Sequence, residues 1–284
     1  MSSPAILDKS IHHTGYGLMG LSPRPQSQPL ENSIASLKKA LELGANFWNA
    51  GEFYWSPEYN SCHILNAYFT KYPEDALKVI LSIKGGLNLK TYFPDGSEAG
   101  VRTSIDNCLR LLAGKKSIDL FECARQNRGI SLSEVSTTTI RRAAKVAKIS
   151  AVEVELSLWS TDPLINGIAE ACAEHNPIIA YSPLGHGLLT GEVMMREDLP
   201  EGDFRRHKPR LQPGVFEENI KLVKELQGLA TKKGVTLAQL ALAWVRSLSG
   251  QNGLPIIIPI PGATTEKESR RICRLCSYLK GSRR

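Results

Sequence analysis

Three stretches of this 284-residue chain run from apolar residues straight into side chains that can do chemistry. Residues 47–54 (FWNAGEFY) present the amide of Asn49, the carboxylate of Glu52 and the phenol of Tyr54. Residues 81–86 (LSIKGG) present the ammonium of Lys84, and residues 179–187 (IAYSPLGHG) present Tyr181 followed by a turn rich in serine and glycine. A phenol, with a pKa near 10, is too weak an acid to protonate a reacting oxygen unless a cation stabilises its phenolate. Small residues in a turn let main-chain N–H groups come close to a phosphate. Taken singly, each feature has a plainer reading: Tyr54 as a rim aromatic, Lys84 as a solvated charge, and Ser182, Leu184 and Gly185 as an ordinary turn.

Other chemistries find no support. No zinc spacing, P-loop or nucleophile elbow occurs, and Gly20-Leu21-Ser22 lacks the second glycine that an elbow needs. No metal is expected. The six cysteines follow no framework spacing, and Cys273 and Cys276 have no second pair or histidines beside them, so free thiols in a reducing compartment are expected. The net charge of +7 is concentrated at residues 266–284, where seven Lys/Arg face two Glu. A basic tail on a near-neutral body, without interleaved aromatics, is weak evidence for a nucleic-acid partner, and none is expected. The first 16 residues lack an apolar signal core, and the longest apolar stretch, residues 254–263, contains three prolines. A cytoplasmic protein with no membrane partner is the expectation.

The elements that must position these side chains alternate. Apolar, β-rich runs fall at 15–21, 46–49, 79–84, 118–124, 129–133, 151–158, 178–184 and 255–260, with helical spacing between them. Leu30/Ile34/Leu37/Leu41 is closed by Gly44, and Val101/Ile105/Cys108/Leu112 by Gly114. Eight such units predict an α/β fold of the (β/α)8 (TIM) barrel type in one domain spanning residues 1–284. An open doubly wound sheet is disfavoured, because Gly15, Gly17 and Gly20 do not match the dinucleotide-binding spacing. In a barrel the chemistry gathers at the C-terminal ends of the strands, where Tyr54, Lys84 and Tyr181 would lie.

In these residues the chain resembles the aldo-keto reductases, which end strand two with D-T-A-x-x-Y-G, strand three with a lysine and strand seven with A-Y-S-P-L-G-x-G. The pyridoxal reductase-like branch is closer still. Its N-x-G-E-F-Y, F-E-x-A-R and E-V-E-L-S-L-W motifs are matched at residues 49–54, 121–125 and 153–159. The 202–205 loop (GDFR) and the 236–244 helix (TLAQLALAW) add to the likeness, which covers residues 15–265.

The resemblance implies an NADP(H)-dependent oxidoreductase that reduces a small-molecule aldehyde, pyridoxal or a similar aromatic aldehyde, to the alcohol. Of the family's Asp, Tyr, Lys and His, Tyr54 and Lys84 map directly as proton donor and supporting cation. Asn49 stands at the aspartate position and Ala124 at the histidine position. Glu122, on the same strand face as residue 124, is placed to bond the lysine instead, or to pair with it for folding alone. The resemblance also puts Tyr181 against the nicotinamide and Ser133 and Glu153 at its carboxamide. Ser182, Leu184, Gly185 and Gly187 would line the pyrophosphate, and Arg270 would approach the adenosine phosphate. Trp55 and Trp159 would wall the substrate, although tryptophans at strand ends often simply cover a core.

Two departures from the family qualify this. Only Gln126, Asn127 and Arg128 separate the expected ends of strands four and five, where a parallel crossover needs a dozen residues or more, so a helix is missing there. Strand five is therefore expected to lose its ladder, exposing apolar residues among Ile118, Phe121, Ile130 and Leu132. Beyond residue 265 the family pattern gives way to a divergent basic tail at 266–284. These departures keep open a catalytically impaired nicotinamide-binding or regulatory protein, or a shortened gene product.

Overall fold

The computed structural model describes residues 4–22, 29–89, 91, 93–122, 130–174 and 177–273. Eight parallel strands follow one another in spatial order: β1 (Tyr16–Gly17), β2 (Phe47–Gly51), β3 (Ile80–Lys84), β4 (Leu120–Glu122), β5 (Ile130–Ser133), β6 (Ile149–Glu155), β7 (Ile178–Tyr181) and β8 (Ile257–Pro259). Each pairs with its sequence neighbour. The sheet curls until its ends meet, with the Gly15 and Gly17 amides donating to the Pro259 and Pro261 carbonyls at 2.9 and 3.0 Å. A side chain at Gly17 would start 2.9 Å from the Ile260 carbonyl oxygen, so this junction requires a residue without a Cβ. The expected (β/α)8 barrel is the fold.

Side chains alternate between the inside and outside of each strand, and inside they stack in layers. The bottom layer is apolar: Phe47, Ile80, Leu120, Ala151, Ile179 and Ile258, plugged from below by Ile6 and Ile11 of an N-terminal hairpin (strands Ala5–Ile6 and Lys9–Ser10). Two residues further along each strand the layer is polar, with Asn49, Ser82, Glu122, Glu153 and Tyr181. Outside, Trp48, Leu81, Ile83 and Phe121 pack under helices α1 (Leu30–Glu42), α2 (Ser61–Lys71) and α3 (Glu98–Leu112). Leu132, Val152, Val154 and Ile178 pack under α4 (Thr137–Ala144) and α5 (Ile168–Ala173). Helices α6 (Val215–Lys232) and α7 (Leu237–Leu248) complete the wall before β8. The left-handed stop of α3 begins one residue before the expected Gly114, at Ala113, with φ of 50°.

Strand five departs from expectation. It is laddered on both sides, Phe121↔Ile130 and Glu122↔Ser131 towards β4, and Leu132↔Val152 and Ser133↔Glu153 towards β6. Nor do its neighbours form an open apolar patch: Ile118, Phe121 and Leu132 are buried, and Ile130 is partly buried. The reason is that α3 covers Ile118 and Phe121 from one flank while α4 and α5 cover Leu132 from the other. The connection through Gln126, Asn127 and Arg128, like Ala124, lies outside the described residues.

The start of the expected tail is also ordered. Residues Glu266–Cys273 form α8, whose Ser269, Ile272 and Cys273 are buried. The buried Tyr16 hydroxyl donates to the Ala263 carbonyl at 2.8 Å and lies 3.1 Å from Ser269 Oγ, which also meets Ser36 of α1 at 3.1 Å. Among the described residues no helix is long and apolar enough to cross a membrane.

Candidate active site

At the mouth of the barrel the chain beyond β2 turns back, and the Tyr54 ring lies over Gly51, where any Cβ would sit 2.7 Å from the ring. This brings the phenol above β3, whose last residue is Lys84. Lys84 Nζ donates to Tyr54 Oη at 3.0 Å and stands 5.3 Å from the centre of the Tyr181 ring. The two residues that the sequence pairs in chemistry are thus in direct contact.

The acid partner of the lysine differs from expectation. Lys84 and Glu122 are register neighbours, yet Glu122 accepts from Asn49 Nδ2 at 2.7 Å and from Ser82 Oγ at 2.6 Å. The ammonium pairs instead with Glu153 of β6, across the interior. Asn49 Nδ2 also donates to Glu153 Oε2 at 2.7 Å, so one amide ties the two acids together. Glu153 is fully buried and engaged by Lys84 and Asn49. Inside a closed barrel the inward side chains of all strands converge on the axis, so Glu153 of β6 reaches the ammonium while Asn49 and Ser82 hold Glu122.

Burial sets the electrostatics. Desolvation pushes the Tyr54 phenol up to about 12, against the pull of the Lys84 cation. Desolvation also opposes the Lys84 charge, but Tyr54, Glu153 and Glu122 together outweigh it and hold the ammonium well above its usual range. Burial, followed by the proximity of Glu122, raises the Glu153 carboxyl well above the ordinary carboxylate value, with Lys84 opposing. Glu52 points elsewhere. It is buried against Ser104 of α3, and desolvation raises its carboxyl.

The opposite wall follows β7. Ser182, with φ of 47°, bonds His186 Nδ1 at 3.2 Å, and the Gly185 and Gly187 amides donate back to the Ser182 and Leu184 carbonyls at 2.9 and 3.0 Å. Those two amides build the turn. Gly187 has φ of 101°, and a Cβ there would sit 2.9 Å from Arg205 Nη1. Arg205 uses this space to donate to the His186 carbonyl at 3.0 Å, while forking onto Asp203. A cavity of about 250 Å³ lies beside this turn, lined among others by Trp159, Gly185, His186, Lys208 and Arg210.

The remaining expected residues divide. Trp159 lines the cavity and is held by Asn219 of α6 at 2.8 Å. Trp55, 47 % exposed with φ of 90°, is not among the cavity's lining residues. Ser133 ends β5 half-buried, beside Glu153 in register, and Leu184 is half-buried in the turn. Arg270 lies 3.7 Å from Glu266 on α8, and Glu268 accepts from the Thr264 amide at 2.7 Å, closing the start of that helix. Sequence reading missed Ser82, Glu155, Arg205, Lys208 and Arg210. Of these, Ser82 and Glu155 carried a signal in their two-residue spacing from Lys84 and Glu153. Among the described residues no cluster of side chains suits a metal ion.

The cavity chemistry fits the diphosphate of a nicotinamide cofactor. Lys208 and Arg210 bring cations to one wall, and Glu155 is committed to Arg210 at 3.2 Å and His186 at 3.5 Å. The sequence pattern described as "Aldo/keto reductase family" matches residues 14–128 and 126–280, breaking where the β4–β5 connection is short and running past residue 265. A protein of Schizosaccharomyces pombe described as "Probable pyridoxal reductase 2" is 41 % identical, over 92 % of this chain and 86 % of its own. Another from that yeast, "Aldo-keto reductase yakc [NADP(+)]", is 35 % identical over 94 % of this chain and 85 % of its own. A glycerol dehydrogenase of Gluconobacter oxydans shares the fold, with a TM-score of 0.79 at 22 % identity, covering 98 % of this chain and 90 % of that one.

Proposed function

The chain belongs to the aldo/keto reductase family, in its pyridoxal reductase-like branch, and from that premise we propose an NADPH-dependent reductase of aldehydes, pyridoxal or a similar aromatic aldehyde being the substrate. The observation that carries the reading is the 3.0 Å hydrogen bond from Lys84 Nζ to Tyr54 Oη at the barrel mouth. Reduction of a carbonyl leaves an alkoxide that must be protonated, and Tyr54 is the acid for that step. A phenol buried to about 12 gives up a proton only to a strong base, so the developing alkoxide is a suitable recipient and water is not. Lys84 stabilises the phenolate as it forms. Trp159 is the residue assigned to the substrate's aromatic ring.

Nicotinamide, when bound, supplies the hydride. Tyr181 would hold its ring, Ser182, Leu184, Gly185 and Gly187 would shape the turn beside its diphosphate, and Lys208 and Arg210 would balance the charge. Arg270 is the residue assigned to the adenosine phosphate. The supporting test is NADPH oxidation by the purified chain with pyridoxal, expected to depend on the aldehyde and to exceed the rate with NADH.

A second reading, a silent nicotinamide-binding protein, is favoured by Asn49 at the position of the family's aspartate. Enhancement of NADPH fluorescence on binding with no aldehyde-dependent oxidation would decide for it.

A further inference from the structure

We propose that Glu122 and Glu153 act as one unit bearing a single negative charge and a single shared proton, and that this unit replaces the family's aspartate in holding Lys84 against Tyr54. The inference rests on Tyr54 and Lys84 being the proton-transfer pair, and it assigns two positioning residues behind them.

The hydrogen-bond geometry carries the argument. Two buried carboxyl groups offer four oxygens. Asn49 and Ser82 donate to Glu122 Oε1, Asn49 donates to Glu153 Oε2, and Lys84 pairs with Glu153 Oε1. Glu122 Oε2 is left buried with no donor among the described residues. A buried acceptor without a donor, beside a second carboxylate, is costly on both counts. One proton on the pair removes both costs, because it turns one carboxylate into a neutral donor and leaves one charge to face one ammonium. One amide ties the two acids together, so the proposed proton belongs to the pair and not to either residue alone. The elevation of the Glu153 carboxyl by burial and by Glu122 is in accord with this.

Asn49 has a defined part in the arrangement. An amide supplies two donors, one to each acid, where an aspartate would add a third carboxyl group to the same layer. The neutral residue at position 49 and the acid at position 153 are two halves of one relocation of charge. The titratable groups facing this unit are Lys84 from β3, Tyr54 beyond β2 and Tyr181 from β7.

The test combines kinetics with infrared spectroscopy of the full chain. Glu153→Gln is expected to lower kcat about 10- to 100-fold with KM within about threefold. It should also move the alkaline limb of the pH profile to lower pH, because the unit's single charge then rests on Glu122, which forms no ion pair with Lys84, and no longer on the Glu153 oxygen that the ammonium meets. The double variant N49D/E153Q, which returns a carboxylate to position 49, should recover most of the rate and the original limb. A structural role alone would not produce that recovery. In the absence of cofactor, the wild type at neutral pH should show a deuterium-sensitive carboxylic-acid band that disappears in Glu122→Gln. An unshifted pH profile in Glu153→Gln, or no such band in the wild type, overturns the proposal. Full activity in Tyr54→Phe would instead overturn the proton-donor reading while leaving the infrared result standing, so the two failures are separable.

Discussion

On the β2–β4 side of the barrel mouth, Asn49, Lys84 and Glu122 sit on strands, and each is fixed by its ladder and by buried partners within 2.7 to 3.0 Å. On the β7 side, the wall is made of turns with left-handed residues at 182, 185, 186 and 187, held by Arg205 and Asp203 from a later loop. A strand fixes a side chain through backbone bonds that form whatever the side chain is. A turn of this kind depends on particular side chains to hold it, so it tolerates less substitution but accommodates a bulkier ligand. Proton transfer needs sub-ångström placement, whereas a cofactor's diphosphate needs a wall that adapts. On the proposed function, the division of the mouth follows that difference.

The comparison breaks most sharply at Tyr54. Tyr54→Phe should remove at least about 100-fold of aldehyde reduction while leaving NADPH binding within a few-fold, since the phenol serves the substrate oxygen alone. Steady-state rates beside fluorescence titration check both halves, and activity retained within a few-fold would remove Tyr54 from the chemistry. Lys84→Met belongs with it. The cation opposes the desolvation that lifts the phenol to about 12, so without it the phenol rises further, the rate falls comparably and the alkaline limb moves to higher pH.

Loss of Arg205 should affect the other wall and spare the first. Arg205→Ala releases the His186 carbonyl and removes the guanidinium from Asp203, so nucleotide Kd should rise about 10-fold, equivalent to about 1.4 kcal/mol, with kcat at saturation little changed. A large fall in kcat with unchanged Kd would mean that the turn positions the reacting groups and that the division of labour is wrong.

The smallest effect lies away from both walls. Tyr16→Phe removes the hydroxyl that joins Ala263, Ser36 and Ser269, and should cost about 1–2 kcal/mol in a thermal or denaturant melt without altering kcat. No change in stability would show that α8 docks without this hydroxyl, through the Ser269–Ser36 contact and its buried Ile272 and Cys273.

The succession of eight strands and the strand-end positions of Tyr54 and Lys84 were legible in the sequence, because alternation and a strand-end position are local properties, whereas their pairing was implied by the family resemblance. The identity of the lysine's acid was not. Sequence reading offered Glu122 to the lysine, and finding Glu153 there instead depends on which strands meet across the barrel axis, a consequence of tilt and closure that no local pattern records. The same holds for β5. Its short approach from β4 predicts an unpaired strand, yet the ladders to β4 and β6 and the cover from α3, α4 and α5 come from parts of the chain far from that connection. Periodicity determined which way each side chain faces. Only closure of the barrel decided what it meets there, since contacts at the axis are made between residues dozens of positions apart.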